Sequence, residues 1–196
     1  MFFVKKPKSL IETERLILRL PEQTDFEDWL LLRKKSENFL LPWEPKKTLQ
    51  FYSRSTFKSR VSWGKQKFKS KKAMPIFLFN KFDKSLVGGI TLDNIRDGPI
   101  NSASVGYWIG ETFSKRGFMT EALKALISYS FKNLNISRIE AATLSKNIAS
   151  RRLLEKSGFK YEGVAQNYLE INGRWQNHIL YAVLRLDRRG KIELKD

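Results

Sequence analysis

The sequence predicts an α/β (α+β) domain in which a mixed central sheet of about seven strands is flanked by about four helices. Three observations predict it. The run Ala103-Ser104-Val105-Gly106-Tyr107-Trp108-Ile109-Gly110 reads as a strand, passes through one glycine-bearing loop into a helical repeat, and is followed by a second apolar run at 136–144. That order is a parallel strand pair joined by a crossover helix. Three strand-like segments in succession, 75–80, 86–94 and 101–110, lead into it. Downstream, Asn172-Gly173 between two extended segments marks a hairpin turn. With 196 residues, one domain over 1–196 is expected, long enough to bury a full core.

In chain order, residues 10–20 read as a strand stopped by Pro21, and Thr24 or Asp25 can cap a helix reaching about Ser36. Residues 39–45 read as a proline-bounded loop, and 48–69 as a second helix. Gly88-Gly89 fits a close-packed strand position better than a phosphate cradle. After Gly117, Leu123, Leu126, Ile127 and Phe131 fall near helical spacing, with Lys124 and Lys132 facing away. Asn147 can cap a helix that turns Ala149, Leu153 and Leu154 inward, and Gly158 can stop it before Phe159 starts the final hairpin. Residues 189–196 are expected to fray.

Composition removes several chemistries. There is no cysteine, hence no disulfide, thiol nucleophile or thiolate metal site. A single histidine, His178, excludes a multi-histidine metal cluster, and no G-x-S-x-G elbow is present for a serine hydrolase. His178 reads as a strand residue near the rim rather than a base. The first eight residues place their apolar part before their charges, unlike a signal peptide, and no apolar run approaches a membrane span. A cytoplasmic protein with no membrane partner is the expectation.

The formal net charge is +17, and much of it lies at 46–72, where lysine and arginine are interleaved with Phe51, Tyr52, Phe57, Trp63 and Phe68 and no acid intervenes. Such a segment fits a phosphate-rich partner. It equally fits an amphipathic helix with a solvated basic face.

The segment Ser114-Lys115-Arg116-Gly117-Phe118-Met119-Thr120-Glu121 opens the crossover helix. The first N–H groups of a helix lack internal partners and carry partial positive charge, so a phosphate fits there. Gly117 permits close backbone approach, and Lys115 and Arg116 add full charges. On its own the segment serves equally as an ordinary turn with a solvated Lys-Arg pair. Likewise, Asn147 by itself is only a cap, and Ser150 only a tolerated polar residue in a first turn.

Taken together and in order, the two segments resemble those of the GNAT-superfamily N-acetyltransferases, which carry a Q/R-x-x-G-x-G/A loop before a helix and, later, N-x-x-S/A-x-x-L/Y-x-x-x-G-F. The resemblance spans nearly the whole chain. Glu12-Thr13-Glu14-Arg15-Leu16-Ile17-Leu18-Arg19 is similar to the family's opening strand. Leu41-Pro42-Trp43-Glu44-Pro45, Phe118 to Leu123 and Tyr168 to Trp175 look like the Rim branch, which acetylates the N-terminal alanine of a ribosomal protein. Three positions depart from the pattern. Ser114 replaces Gln or Arg, Met119 replaces Gly or Ala, and Leu154 stands where many relatives carry a tyrosine acid.

The resemblance implies a splayed parallel strand pair and acetyl-CoA as cosubstrate without a metal. It implies cofactor contacts from Trp108, Ile109 and Gly110, from Ser114, Lys115, Arg116, Gly117, Phe118, Met119 and Thr120, and from Asn147 and Ser150. The implied acceptor is a ribosomal protein N-terminus, alanine-initiated, on small-subunit protein five, with ribosomal RNA as a further partner for 46–72. The implied reaction is direct attack of a neutral amine on the thioester. An α-amine has a pKa of about 8 against about 10.4 for lysine, a difference of about 3–3.5 kcal/mol in deprotonation work, so a weak base suffices. Glu44 and Glu111 are the candidate bases, and Glu44 can alternatively bind the ammonium. Tyr107 can line the cleft, a backbone N–H near Ile109 can polarise the carbonyl, and Ser150 can stand in for the missing tyrosine at the sulfur. Two alternatives remain open: acetylation of a polyamine or other small amine, and a non-catalytic RNA-binding or ribosome-assembly role.

Overall fold

The computed structural model describes residues 9–186. The expectations about a leader at 1–8 and fraying at 189–196 lie outside the described residues. The chain opens with β1 (Ile11–Glu12) and β2 (Leu16–Arg19), then α1 (Phe26–Lys35), α2 (Glu37–Leu40) and α3 (Arg54–Lys69). Three strands follow, β3 (Met74–Asn80), β4 (Leu86–Arg96) and β5 (Ser102–Ile109), and then α4 (Phe118–Asn133), β6 (Arg138–Leu144), α5 (Ile148–Lys156), β7 (Lys160–Ile171) and β8 (Arg174–Leu184). One sheet of eight strands runs in the order β1-β2-β3-β4-β5-β6-β8-β7. Every neighbouring pair is antiparallel except β5 with β6.

The expected mixed α/β sheet is present, with one more strand and one more helix than the sequence predicts among the described residues. The extra strand arises because 10–20 folds back on itself. Thr13 N–H donates to the Leu16 carbonyl at 3.0 Å, and Leu16 N–H donates to Thr13 Oγ1 at 3.0 Å, which closes a tight turn. The extra helix is α2, followed by a single 3-10 turn at Leu41–Trp43 inside the expected loop. The second long helix starts later than 48, because Ser53 is its cap: extended at ψ 147°, it accepts Thr56 N–H on its hydroxyl at 3.1 Å. The residues ahead of that cap are used in packing, with Phe51 and Tyr52 at 5.8 and 6.0 Å from the Trp29 ring.

β3 is covered on both faces, as the period-two alternation of a strand allows. Ile76 and Leu78 join the larger core beneath α4, with Leu123 and Leu126. Phe77 and Phe79 face the other way, into an aromatic core with Phe26, Trp29 and Phe57 from α1 and α3. The close packing expected of Gly88-Gly89 is present. A Cβ on Gly88 would lie 2.4 Å from the Trp108 carbonyl oxygen, and one on Gly89 2.5 Å from the Trp108 indole nitrogen. The hairpin turn also forms as read, with Asn172 and Gly173 at φ 47° and 75°.

The parallel pair is short. β5 and β6 register only from Ser102 against Arg138 to Ser104 against Glu140. Beyond that, β5 stays paired to β4 as far as Ile109 and β6 stays paired to β8 as far as Leu144. Each strand is thus held on its outer side while the inner sides part, producing the splay.

Candidate active site

At one end of the splay, the loop before α4 presents an anion cup. Lys115 and Gly117 adopt φ of 60° and 80°, which turns the chain sharply into the helix. The first intrahelical bond runs from Glu121 N–H to the Gly117 carbonyl at 3.0 Å. The N–H groups of Phe118, Met119 and Thr120 precede it and have no intrahelical acceptor. A Cβ on Gly117 would meet only Arg15 Nη2, at 3.4 Å, so the glycine leaves an open approach to these donors. Lys115 and Arg116 are exposed beside it, and Ser114 N–H is turned back to the Glu111 carbonyl at 3.0 Å. Phe118 and Met119 bury their side chains in the core, which explains how methionine replaces a small residue: only its backbone faces the cup. A diphosphate fits these donors without further side chains.

Sequence reasoning missed the support under this cup. Glu121, in the first turn of α4, accepts the Thr13 hydroxyl at 2.5 Å, Arg15 N–H at 2.9 Å and Arg15 Nε at 2.7 Å. Arg15 Nη1 donates to the Arg116 carbonyl at 3.0 Å, and its guanidinium lies 4.6 Å from the centre of the Phe118 ring. The β1–β2 turn therefore clasps the loop, while the Glu121 charge is neutralised by Arg15 instead of opposing an incoming anion. Thr13, Arg15 and Glu121 all lie within the segments that carry the family resemblance, yet no spacing rule links residues more than a hundred positions apart.

In the gap between β5 and β6, alternation decides which backbone groups are available. Gly110 N–H donates to the Val87 carbonyl at 2.9 Å, toward β4. Ile109, one residue earlier, points its backbone groups the other way, into the splay. Of the three expected backbone contacts, Ile109 is the one that faces the gap. Gly110 is packed under Leu32, whose Cδ1 would lie 2.4 Å from its Cβ, and the Trp108 ring sits on the α1–α3 face.

Tyr107 and Ser150 meet across the same gap: the phenol oxygen and the serine Oγ are 2.8 Å apart. Ser150 is fixed by its own N–H, which donates to Asn147 Oδ1 at 3.1 Å, so Asn147 is the expected cap. Burial pushes the Tyr107 phenol up to about 12, against a smaller opposing effect of the Ser150 hydrogen bond. The pair is therefore uncharged throughout the neutral range. Because the folded pKa lies above that of the unfolded chain, the linked stability is fully present below about pH 10 and is lost as pH rises from about 10 to 12. Tyr107→Phe should flatten that alkaline decline in thermal melts followed from pH 9 to 12. An unchanged decline would show that Tyr107 is not its source.

On the opposite face of β5 lies a cavity of about 490 Å³. Its walls include Trp29, Phe51, Trp63 and Trp108, with Arg33, Lys46, Lys47 and Arg60 set against one carboxylate, Glu44. Glu44 is gripped by Arg33, Nη1 to Oε1 at 2.7 Å and Nη2 to Oε2 at 2.6 Å. Arg33 is 4% exposed, and its guanidinium lies 4.8 Å from the centre of the Trp108 ring. A carboxylate so engaged on both oxygens retains lone pairs for one more donor, which suits ammonium binding better than free general-base duty. The Glu44 carbonyl also accepts Asn172 N–H at 2.9 Å, tying the hairpin tip to this loop.

The other candidates stand apart. Glu111 is exposed on a 3-10 turn, where its N–H donates to Ser36 Oγ at 3.0 Å. His178 is buried on β8 with Nδ1 2.9 Å from the Gln176 carbonyl, which corrects its expected place at the rim. No group of three or more metal-ligating side chains occurs among the described residues. None of the described helices is long and apolar enough to cross a membrane. Of the aromatics within 46–72, Phe57 is buried and Phe51, Tyr52 and Phe68 pack against the cores, while Trp63 is exposed.

A family model described as an acetyltransferase (GNAT) domain matches residues 15–160. The chain is 34% identical over 183 residues to the ribosomal protein uS5-alanine N-acetyltransferase of Escherichia coli (strain K12), covering 92% of this chain and 93% of that one. Among solved structures, the ribosomal-protein-S5-alanine acetyltransferase from Vibrio fischeri superposes with a TM-score of 0.84 at 30% identity, over 90% of this chain and 96% of that one. Mycobacterium smegmatis RimJ in complex with CoA-disulfide superposes with a TM-score of 0.82 at 27% identity, over 92% and 85%.

Proposed function

The chain belongs to the GNAT acetyltransferase domain family, and on that premise we propose that it transfers the acetyl group of acetyl-CoA to the N-terminal α-amine of a ribosomal protein, alanine-initiated small-subunit protein five. The observation that carries the reading is the splay itself. Past Ser104 and Glu140 the parallel strands part, and the gap holds the inward-facing Ile109 backbone and the Tyr107–Ser150 pair, with the cup at Gly117 on the same crossover unit.

The cup N–H groups, with Lys115 and Arg116, hold the diphosphate. Ile109 N–H polarises the thioester carbonyl, as an oxyanion donor does. The neutral amine attacks the carbonyl carbon; the C–N bond forms, the C–S bond breaks, and the proton leaving the amine reaches the departing sulfur through water. Ser150 donates a hydrogen bond to that sulfur while Tyr107 donates to Ser150, so the pair positions and stabilises without giving up its own proton. Glu44, oriented by Arg33, accepts the incoming ammonium. The four cations around it favour the neutral form of the acceptor amine, since like charge disfavours protonation. The same surplus of cations disfavours a polyamine acceptor. Exposed Lys58, Lys65, Lys69 and Lys71 supply a face toward ribosomal RNA. The test is mass spectrometry of ribosomal proteins incubated with the enzyme and acetyl-CoA. One acetyl increment on the N-terminal peptide of the small-subunit acceptor is expected, and modification confined to lysine side chains would overturn the reading.

A further inference from the structure

Arg60 reaches the acceptor cavity from α3 without a carboxylate of its own. Its guanidinium lies 4.1 Å from the centre of the Phe51 ring and 5.4 Å from that of Trp29. The neighbouring cations are engaged: Arg33 by Glu44, Lys47 by Glu37 at 3.3 Å, and Arg54 by Glu27. Arg60 and Lys46, both lining the cavity, have no ion pair among the described residues. Burial lowers the Arg60 pKa and the charge of Arg33 lowers it further, against a smaller opposing effect of the Glu44 carboxylate. A half-buried, ring-stacked fork of five donors in no ion pair, in a cavity whose one carboxylate, Glu44, is already gripped by Arg33, is a site prepared for a further anion.

We propose that Arg60 receives an acidic side chain of the acceptor, a glutamate or aspartate within the first few residues after the reacting terminus. This rests on the N-terminal acetylation reading and specifies its substrate class. The cavity fits a carboxylate better than a nucleic-acid backbone, because its aromatic walls would strip water from a polyphosphate along its length. Charge balance points the same way. Four cations facing Glu44 oppose the entry of a bare ammonium, and an acid a few residues behind restores the attraction. It does so away from the reacting amine, which keeps its cationic surroundings.

The experiment compares alanine-initiated peptides that differ only in carrying Glu, Gln or Lys at the second to fourth position. We expect kcat/KM for the best-placed Glu peptide to exceed that of its Gln twin by about tenfold or more, the strength of a charge-assisted bidentate contact. Arg60→Gln should erase the preference, and Arg60→Glu should transfer it to the Lys peptide, with acetyl-CoA affinity by calorimetry unchanged in both as the check on folding. Equal turnover of the Glu and Gln peptides by the wild-type enzyme would overturn acid docking and leave N-terminal acetylation standing. In parallel, binding of a fluorescent, N-terminally blocked Glu peptide is measured. Arg60-dependent binding without turnover of any peptide would uphold the docking and remove the acetylation reading. Absence of both binding and turnover would overturn the two together. Displacement of the blocked peptide by an RNA oligomer at lower concentration than by unlabelled Glu peptide would assign Arg60 to RNA and overturn the proposal.

Discussion

Gly117→Glu is expected to abolish acetyl-CoA binding, with calorimetric affinity falling about a thousandfold or more. Two effects combine. Gly117 sits at φ 80°, where a side chain costs about 1–2 kcal/mol. The larger effect is charge. A carboxylate placed about 4 Å from a phosphate repels it by about 4 kcal/mol at an effective dielectric of 20, itself close to a thousandfold. Arg15, whose Nη2 would lie 3.4 Å from the new Cβ, would be drawn to that carboxylate and away from the Arg116 carbonyl it now supports. Gly117→Ala separates the two effects, since it keeps the backbone strain and adds no charge, and its loss should be about tenfold. Retention of wild-type affinity in the glutamate variant would remove this loop from the binding site.

Glu44→Gln is expected to lower both turnover and stability while leaving acetyl-CoA affinity nearly intact. Arg33 is almost wholly buried and donates to both Glu44 oxygens at 2.6–2.7 Å. Removing one partner of such a pair strands a buried charge at a cost of about 3 kcal/mol. For a chain of this size the melting temperature should fall by roughly 6–12 °C. The double variant Arg33→Met, Glu44→Leu should recover much of that loss, because no charge is stranded, yet should not recover turnover of an alanine-initiated peptide. Wild-type turnover in Glu44→Gln would take Glu44 out of the acceptor site.

What could be read from the sequence was local in origin. Asn172-Gly173 specified its turn because both residues reach positive φ readily. Asn147 specified its cap because a side-chain oxygen three positions before a free N–H is a local geometry. The strand–Gly117–helix unit was legible for the same reason. What escaped depended on distant partners. Tyr107 and Ser150 were both candidates, but their 2.8 Å contact spans 43 positions and exists only because the strands part. Glu44 read as a candidate base because Arg33, eleven positions back on α1, gave no sign of facing it. The first strand read as continuous because the apolar pattern of 10–20 does not register that Thr13 and Arg15 are needed at Glu121. The start of α3 was placed too early because Thr48 and Ser53 are both competent caps, and the packing of Phe51 and Tyr52 on Trp29 decides between them.

The bond from Thr13 to Glu121 joins positions 108 apart, so the earliest-made part of the described chain finds its partner only after a further 108 residues have been synthesised. Loop closure over such a span carries an entropy cost that a local contact avoids. An emerging chain therefore has a turn waiting for a helix that does not yet exist, and the loop at Gly117 gains its support only when the two meet.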